Sequence, residues 1–357
     1  MAPVLKRLTE AGLDSRVCVT AQHRGMLDQV LDLFDITPDI DLNLMRPNQS
    51  LDTLTANALT GITEVLHAER PDMVLVHGDT TTALSASLAA FYCNVPVGHV
   101  EAGLRTGNIA APFPEEVNRR LADAMSSLHF APTESAKQNL LREAIQMPTI
   151  TVTGNTVIDA LFMVRDKLLA DAAQMRDLDR EFPFPEDGRR LVLVTGHRRE
   201  NFGPGFENIC AALGDLSRRN DIEIVYPVHL NPNVQKPVLD LLSNLDNVHL
   251  IEPVDYRRFV YLMMKASIVI TDSGGVQEEA PSLGKPVLVM RDVTERPEAV
   301  DAGTVRLVGT DRLRIEAEAN RLLDDPAAYQ EMSRAHNPYG DGHAAERIVE
   351  RIQQYAG

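Results

Sequence analysis

Carboxylate side chains follow two predicted strands in the N-terminal half of the chain and begin the helix after them. Asp79 and Glu101 each come just after an apolar, β-branched run, and Glu115 opens the next helical stretch. Carboxylates that meet at neighbouring strand ends suit proton abstraction and the stabilisation of a developing positive charge. The same residues also suit structural roles, because Asp79 precedes three threonines as a good helix cap and Glu115 suits the positive end of a helix dipole.

The C-terminal half carries a candidate anion site at a strand-to-helix turn. Residues 272–275, Asp-Ser-Gly-Gly, combine two glycines with the amides of a helix N-terminus, which point at a bound anion. His197 and Arg296 each follow another predicted strand and suit the neutralisation of a diphosphate. Glu279 lies further along the helix, where a carboxylate can accept hydrogen bonds from a ribose diol. The structural alternatives are a helix cap within the turn and a solvent-exposed helix charge at Glu279.

The histidines do not form a recognisable metal site. His77 and Asp79 give an H-x-D fragment at one strand end, but no second ligand cluster has metal-binding spacing. The chain also lacks a G-x-S-x-G elbow, a Walker-A lysine loop and a G-x-G-x-x-G turn after a strand. The sequence therefore predicts neither a metal nor a bound cofactor.

Short β-branched runs alternate with amphipathic stretches along most of the chain. The strands and helices that these patterns predict must position the candidate side chains. Several runs are continuously apolar, as is typical of strands covered on both faces of a parallel sheet. Ligands bind beyond the carboxyl ends of the strands in such sheets, which is where the candidate residues fall. The predicted strands are 17–20, 73–76, 95–100, 128–131, 150–153, 191–195, 222–227, 248–251, 268–271, 287–290 and 305–308.

The strands fall into two series, which are too many for one open sheet of this kind. A long amphipathic stretch at 156–180 and the proline-containing residues 181–188 separate them. The sequence therefore predicts an α/β protein with two Rossmann-like, doubly wound domains facing across a cleft. We expect the N-terminal domain to comprise residues 1–160, with a C-terminal helix at 338–357 packing back on it. The C-terminal domain comprises residues 161–337.

Composition narrows the class of protein. The 357 residues are 44% hydrophobic and 24% charged, which is ordinary for a soluble enzyme. The formal net charge of -16 offers no general attraction for nucleic acid or an anionic membrane. Cys18, Cys93 and Cys210 are far apart, and the chain shows neither a membrane-length apolar run nor a signal sequence. These features predict a soluble, cytoplasmic protein without disulfides.

Six motifs contain most of the candidate residues. They are Val-His-Gly-Asp-Thr-Thr-Thr at 76–82, His-Val-Glu-Ala-Gly-Leu-Arg-Thr at 99–106, Pro-Glu-Glu-Val-Asn-Arg at 114–119, Thr-Gly-Asn-Thr-Val-Ile-Asp at 153–159, Thr-Gly-His-Arg-Arg-Glu-Asn at 195–201, and the run 271–284. Together they resemble the non-hydrolysing UDP-N-acetylglucosamine 2-epimerases of bacteria. The resemblance covers nearly the whole chain, in order, and the combination of motifs is highly specific.

The resemblance implies a fold like that of glycosyltransferase-B enzymes and a reversible conversion of UDP-N-acetylglucosamine to UDP-N-acetylmannosamine for surface-polysaccharide synthesis. In this chemistry the anomeric bond to UDP breaks with oxocarbenium character, which acidifies the hydrogen at C2 of the sugar. Anti elimination gives 2-acetamidoglucal and UDP, and syn re-addition delivers the proton to the other face. The resemblance further implies a homodimer that needs no cofactor.

The resemblance also assigns roles to individual residues. Asp79, Glu101 and Glu115 would lie at the sugar, with Asp79 or Glu101 as the base and Glu115 as an acid or charge stabiliser. The nucleotide would contact a second set: Ser273, Gly274 and Gly275 at the diphosphate, His197 and Arg296 at the departing phosphates, Glu279 at the ribose, Phe259 at the uracil ring, and the backbone of Val254 at the uracil edge.

The start of the chain departs from the family pattern. Residues 1–8 read as a helix, whereas the family places a strand and an arginine-containing loop before it. We therefore expect the 357-residue form to be poorly active unless that segment precedes it. Gln22, His23 and Arg24 follow the first predicted strand, and the resemblance implies contact with a second, activating UDP-N-acetylglucosamine. The alternative for these three residues is a surface helix N-terminus.

Three other functions fit parts of this pattern. A retaining glycosyltransferase would bind a UDP-sugar similarly but would also need an acceptor groove. A hydrolysing epimerase would release free N-acetylmannosamine and UDP, and a nucleotide-sugar binding protein would turn nothing over. The carboxylate set Asp79, Glu101 and Glu115 favours an epimerase over a binding protein.

Overall fold

The chain folds into two compact units. Unit 1 comprises Met1–Ala160 and Tyr339–Gly357, and unit 2 comprises Leu161–Pro338. Within the part of the chain that is described, no helix is both long and apolar enough to cross a bilayer. This computed structural model describes residues 1–21, 24–46, 49–182 and 188–356.

Unit 1 is built from parallel strands with helices between them. Its strands are β1 Cys18–Val19, β2 Ile40–Asp41, β3 Val74–His77, β4 Val97–Val100, β5 Leu128–Ala131 and β6 Ile150–Val152. Its helices are α1 Ala2–Glu10, α2 Arg24–Leu33, α3 Leu51–Glu69, α4 Thr81–Tyr92, α5 Glu115–Met125, α6 Glu134–Arg142, the first part of α7 Thr156–Ala170, and α16 Ala344–Ala356. Strands β3, β4, β5 and β6 form one sheet in that order, and β1 pairs with β2 alone.

The last helix of the chain completes the core of unit 1 against the first. Val4 and Leu8 lie one turn apart on α1 and are buried with Ile348 and Val349 of α16. Apolar residues at this spacing form one face of a helix, and burying four such side chains contributes several kcal/mol at roughly 1.5–3 kcal/mol each. The carboxylate of Asp159 fixes the junction, because it accepts hydrogen bonds from the Ala345 amide at 2.8 Å and a second α16 amide.

Unit 2 holds a six-stranded parallel sheet. Its strands are β7 Arg190–Thr195, β8 Ile222–Pro227, β9 Val248–Ile251, β10 Ala266–Thr271, β11 Val287–Val289 and β12 Val305–Leu307. Its helices are α8 Ala172–Glu181, α9 Pro204–Leu216, α10 Pro232–Leu242, α11 Tyr256–Lys265, α12 Gly274–Ser282, α13 Pro297–Asp301, α14 Arg312–Asp324 and α15 Pro326–Ser333. The order β12-β11-β10-β7-β8-β9 is that of a Rossmann sheet, in which β7 and β10 flank the point where the strand order reverses.

This reversal point opens the crevice where doubly wound sheets bind ligands. The ends of β7 and β10 are in register at Thr195 and Thr271, whose hydroxyls are 2.5 Å apart. Buried Tyr226 of β8 donates a hydrogen bond at 3.1 Å to the carbonyl of Gly196, the first residue after β7. The loops leaving β7 and β10 are therefore anchored to the core at their first residues.

The eleven strands predicted from the sequence are confirmed to within two residues at each end, and α1 confirms the opening helix. The short strand Ile40–Asp41 was missed, because two residues give no periodic signal. The amphipathic stretch 156–180 contains two helices, since Asp171 caps α8 by accepting hydrogen bonds from the Ala173 and Gln174 amides.

Candidate functional site

The predicted site carboxylates of Asp79 and Glu101 follow neighbouring strands at the carboxyl edge of the four-stranded sheet of unit 1. Strands β3 and β4 are adjacent and parallel, with His77 paired to Val100. Asp79 and Glu101 therefore leave the same edge of the sheet on neighbouring loops. A Cβ built on Gly78 would lie 3.2 Å from Oε2 of Glu101, so the Glu101 carboxylate rests against the residue that precedes Asp79.

Glu101 adopts an uncommon backbone conformation. Its φ of 65° lies in the left-handed region, which costs a side-chain-bearing residue roughly 1–2 kcal/mol and is concentrated at functional sites. Asn155 Nδ2 donates to Oε1 of Glu101 at 3.2 Å, and His77 Nε2 lies 3.6 Å from Oε2. The carboxylate is 21% exposed, so it is held by its neighbours and still reachable from solvent.

Asp79 is an ion-paired carboxylate and not the helix cap that the sequence also allowed. Thr80 caps α4, because its Oγ1 accepts a hydrogen bond from the Ala83 amide at 3.2 Å. Arg119 Nη2 donates to Oδ2 of Asp79 at 2.5 Å, and Asn118 Nδ2 donates to the Asp79 carbonyl at 2.9 Å. Both partners lie on α5, which therefore fixes Asp79 from the opposite side of the loop.

The two glutamates that begin α5 have different roles. Glu115 is the first residue of the helix and is half-buried. Glu116 is fully buried and accepts hydrogen bonds from the Thr106 and Gly107 amides at 3.0 and 3.2 Å, so it orders the loop after β4. The helix that supplies the partners of Asp79 thus also presents Glu115 near that edge.

The turn after β10 in unit 2 is organised by Asp272. Its carboxylate is fully buried and accepts hydrogen bonds from the His197 amide at 3.0 Å, the Arg198 amide at 2.9 Å and Asn201 Nδ2 at 3.2 Å. Ser273 makes no side-chain cap at the start of α12. The predicted alternative of a simple helix cap here is therefore wrong. Asp272 holds the β7 loop instead, and the α12 amides remain at the crevice.

Arg296 packs directly on the start of α12. A Cβ built on Gly274 would lie 2.6 Å from Nη1 of Arg296, closer than real atoms approach, so only glycine leaves room for this guanidinium. Arg296 Nε donates to Oε1 of buried Glu278 at 2.6 Å, which fixes the side chain. A cation and a helix N-terminus thus lie side by side, an arrangement that suits an anion.

Glu279 is buried at the same helix start, 6% exposed, so the solvent-exposed alternative is wrong. Its carboxylate lies 3.7 Å from a Cβ built on Gly275. Burial raises the pKa of Glu279 to about 7, the hydrogen bond from the Tyr256 hydroxyl opposes that rise, and Glu278 adds to it. Sequence reasoning missed Tyr256, although it begins the helix that carries Phe259.

Val254 and Phe259 lie on either side of this tyrosine. Val254 lies two residues before α11, Phe259 is in its first turn, and both are half-buried. Because the Tyr256 hydroxyl bonds to Glu279, the N-terminus of α11 is tied to α12. The structure thus brings the residues predicted for the uracil next to the residue predicted for the ribose.

His197 stands at the reversal point of the sheet. Its side chain is 44% exposed, and Nδ1 lies 3.5 Å from Oδ1 of Asp272. The ring stacks on His229, with centroids 5.5 Å apart and planes 20° apart. Burial lowers the pKa of His197, and His229 and Arg198 lower it further, while Asp272 opposes them. A lowered pKa favours the neutral imidazole.

Two sets of predictions remain to be placed. Gln22 and His23 lie outside the described residues, and Arg24 begins α2. Their role in contacting a second nucleotide sugar stays a prediction. Among the residues that are described, no three histidine, cysteine, aspartate or glutamate side chains are grouped as metal ligands.

The burial of Glu279 has a measurable consequence for stability. The native carboxyl keeps its proton up to about pH 7, whereas the ordinary value is 4.5. The free energy of unfolding therefore falls by roughly 3 kcal/mol as pH rises through this window. We expect Glu279→Gln to remove this loss, so the variant exceeds the wild type in urea denaturation at pH 8 and matches it near pH 4.5. The exposed Glu350→Gln is the control, and an equal gain at both pH values would contradict the argument.

Comparison with known proteins places these two groups of residues in one family. The UDP-N-acetylglucosamine 2-epimerase family model matches residues 6–353. The UDP-N-acetylglucosamine 2-epimerase of Escherichia coli (strain K12) is 58% identical over 355 residues, covering 99% of this chain and 94% of that protein. The protein of the same name from Yersinia pestis is 57% identical over 357 residues, covering 99% and 95%.

A solved structure gives the same answer for the fold. The UDP-GlcNAc 2-epimerase from Neisseria meningitidis, solved bound to UDP-GlcNAc, is 54% identical and superposes with a TM-score of 0.90, covering 99% of this chain and 96% of that one. The predicted α/β class, with two Rossmann-like domains of the glycosyltransferase-B type, is confirmed, and so is the resemblance stated from the motifs. The chain belongs to the UDP-N-acetylglucosamine 2-epimerase family.

Proposed function

We propose that the chain interconverts UDP-N-acetylglucosamine and UDP-N-acetylmannosamine by inverting C2 of the sugar, without a cofactor and without net hydrolysis. The observation that carries this proposal is that the loops of Asp79 and Glu101 leave the same edge of the unit 1 sheet, with the Glu101 carboxylate against Gly78. A protein that only bound the nucleotide would need the anion site of unit 2 but not this pair.

The nucleotide is held by unit 2 in this proposal. The Ser273 hydroxyl, just before α12, and the amides of Gly274 and Gly275 at its start meet the diphosphate, and Arg296 neutralises it. The carboxyl oxygen of Glu279 that faces Gly275 accepts hydrogen bonds from the ribose hydroxyls, with Tyr256 holding the other oxygen. The ring of Phe259 packs on the uracil, and the main chain at Val254 reads its edge.

The hydrogen at C2 sets the chemical problem, because no neighbouring carbonyl makes it acidic. Breaking the C1–O bond solves this problem: UDP leaves with the electron pair, positive charge develops at C1, and the C2–H becomes acidic. A carboxylate then takes the proton, and the C–H electrons form the C1–C2 double bond of 2-acetamidoglucal. Return of a proton to the opposite face of C2 and of UDP to C1 completes the inversion. Every atom is conserved over the cycle.

The residues divide between the two halves of this step. Arg296, His197 and the α12 amides stabilise the charge on the departing UDP. Asp79 and Glu101 are the two candidates for the base at C2, and Glu115 is the candidate acid or charge stabiliser. The ion pair between Asp79 and Arg119 and the bond from Asn155 to Glu101 keep both candidate bases in fixed positions before substrate binds.

Proton NMR of UDP-N-acetylglucosamine incubated with the purified chain in deuterated water tests the proposal directly. We expect UDP-N-acetylmannosamine to appear with deuterium at C2. Free N-acetylmannosamine would indicate a hydrolysing epimerase instead. Transfer of the sugar to an added acceptor, without exchange at C2, would indicate a glycosyltransferase. Neither exchange nor product with UDP still bound, both in the 357-residue form and with the family's strand and arginine-containing loop added before it, would leave a binding protein and overturn the proposal.

Gly274 offers a test of the diphosphate site. Arg296→Ala is expected to weaken UDP binding by roughly 10- to 100-fold, because a charge-assisted contact is lost. Gly274→Ala should have a similar effect, since its methyl group takes the place of the guanidinium. Calorimetry on the double variant checks this explanation. Gly274→Ala should add little to Arg296→Ala, and additive losses would show that Arg296 is not what the methyl group displaces.

We further propose that the enzyme is a cytoplasmic homodimer whose product enters surface-polysaccharide synthesis. Three free cysteines support a reducing compartment. Phe91 and Tyr92 of α4 are 58% and 64% exposed, and Leu121 of α5 is 46% exposed, which supports a covered face. Light scattering tests the oligomeric state, and loss of surface polysaccharide on gene deletion tests the pathway.

A further inference from the structure

Beneath the candidate base residues of unit 1 lies a buried polar cluster that the proposed chemistry does not use. We call His99, Arg105 and Asp123 the Asp123 cluster. His99 is fully buried in β4, and its Nδ1 lies 2.6 Å from Oδ1 of Asp123 on α5. Arg105 Nη2 donates to the other oxygen at 2.7 Å. Asp123 is 1% exposed, so these contacts replace all of its hydration.

The partners of His99 determine its charge. Nδ1 faces the Asp123 carboxylate, and Nε2 faces the carbonyl of Gly78 at 2.8 Å. Both partners are hydrogen-bond acceptors, so both ring nitrogens must donate, and the ring is an imidazolium. Burial by itself disfavours this charge, but the Asp123 carboxylate outweighs it and raises the pKa of His99 above its ordinary value.

The cluster reaches both loops that carry the candidate bases. The carbonyl that His99 binds belongs to the peptide between Gly78 and Asp79. On the neighbouring loop, two residues beyond Glu101, the amide of Gly103 donates to Oδ2 of Asp123 at 3.3 Å. One buried carboxylate therefore fixes the loop after β3 through His99 and the loop after β4 directly.

A second buried histidine provides an internal comparison. His129 of β5 is the register partner of His99 and is 2% exposed. Its Nε2 bonds to the main-chain carbonyl of Asp123 at 2.8 Å, and its Nδ1 lies 3.2 Å from Oγ1 of Thr149. Burial lowers the pKa of His129, so the ring is neutral. It matches His99 in residue type and depth, but these bonds do not reach Gly78.

We propose that His99 and Asp123 are positioning residues for the epimerisation, which hold the loops of Asp79 and Glu101 at the separation that proton transfer at C2 requires. This inference rests on the proposed function. Neither residue touches the substrate. They set the geometry of the two carboxylates. This geometry affects the turnover number and leaves nucleotide binding in unit 2 unchanged.

The test compares His99→Asn with His129→Asn. Asparagine at position 99 keeps a donor near Asp123 and loses the bond to Gly78. We expect its kcat to fall by roughly 10- to 100-fold, with the KM for UDP-N-acetylglucosamine and the Kd for UDP within about threefold of the wild type. His129→Asn should leave kcat within about threefold. His99→Gln, whose amide reaches the Gly78 carbonyl, should recover a large part of the loss.

The outcomes separate positioning from stability and from failure of the proposed function. Equal kcat losses in His99→Asn and His129→Asn, tracking their melting temperatures, would overturn the inference, and so would an unchanged kcat in His99→Asn. If the His99 variants do not fold, Asp123→Asn is measured in their place, and a normal kcat in that variant would also overturn the inference. A wild type that exchanges no deuterium at C2 would instead overturn the proposed function itself.

Discussion

Asp79→Asn, Glu101→Gln and Glu115→Gln should each lower the turnover number by roughly 100-fold or more while UDP still binds. Each change removes a proton-accepting or charge-stabilising oxygen and leaves the side-chain size almost unchanged. Binding survives because the residues proposed for the nucleotide all lie in unit 2. Turnover is measured from the approach to the equilibrium mixture of the two UDP-sugars, and UDP binding by calorimetry on the same samples.

Glu134→Gln is the matched control for these variants. Glu134 opens α6 after β5 as Glu115 opens α5 after β4, but its carboxylate is exposed and bonds to Lys137 and Gln138. Its turnover should stay within about twofold of the wild type. Near-normal turnover in any of the three test variants would remove that residue from the reaction, even if the other two behaved as expected.

Of the substitutions that add one methyl group to the loop after β4, Gly103→Ala should lower the free energy of unfolding the most. A Cβ there would lie 2.3 Å from the main-chain oxygen of Ala136, and φ is 85°. Neither the strand edge nor α6 can move away without breaking its own hydrogen bonds. We therefore expect the free energy of unfolding, measured by urea denaturation, to fall by roughly 4 kcal/mol or more.

Gly107→Ala separates the two causes of that loss. Gly107 lies on the same loop with φ of 78°, but a Cβ there meets no atom within 4 Å. Gly107→Ala should therefore lower the free energy of unfolding only by the backbone strain, about 1 kcal/mol. If both variants lose the same stability, the close contact with Ala136 is not what requires glycine at position 103.

Much of this architecture could be predicted because local sequence specifies it. Buried strands of a parallel sheet are runs of apolar residues, and the chemically reactive residues follow those runs directly. The same apolar runs therefore predicted both the strands and the candidate site residues. The paired loops of Asp79 and Glu101 followed from strand order alone. Helix α12 was predictable for the same reason, since Asp-Ser-Gly-Gly marks a strand-to-helix turn.

The partners of these residues could not be predicted, because they come from distant parts of the chain. Tyr256 reaches Glu279 from another helix, and Arg119 reaches Asp79 across forty positions, a separation at which periodicity carries no information. Asp272 was predicted as a possible cap, but its carboxylate bonds to the β7 loop, 75 residues earlier in sequence. Sequence patterns locate the reactive groups, while their ionisation and fixed positions depend on tertiary contacts.

The packing of α1 against α16 bears on how the chain is made. The ribosome releases Val4 and Leu8 long before Ile348, so unit 1 cannot close its core until α16 has been made. Unit 2 is a continuous segment, and all of it emerges before α16. During translation unit 2 can therefore fold first, while the earlier-made part of unit 1 remains an incomplete nascent chain.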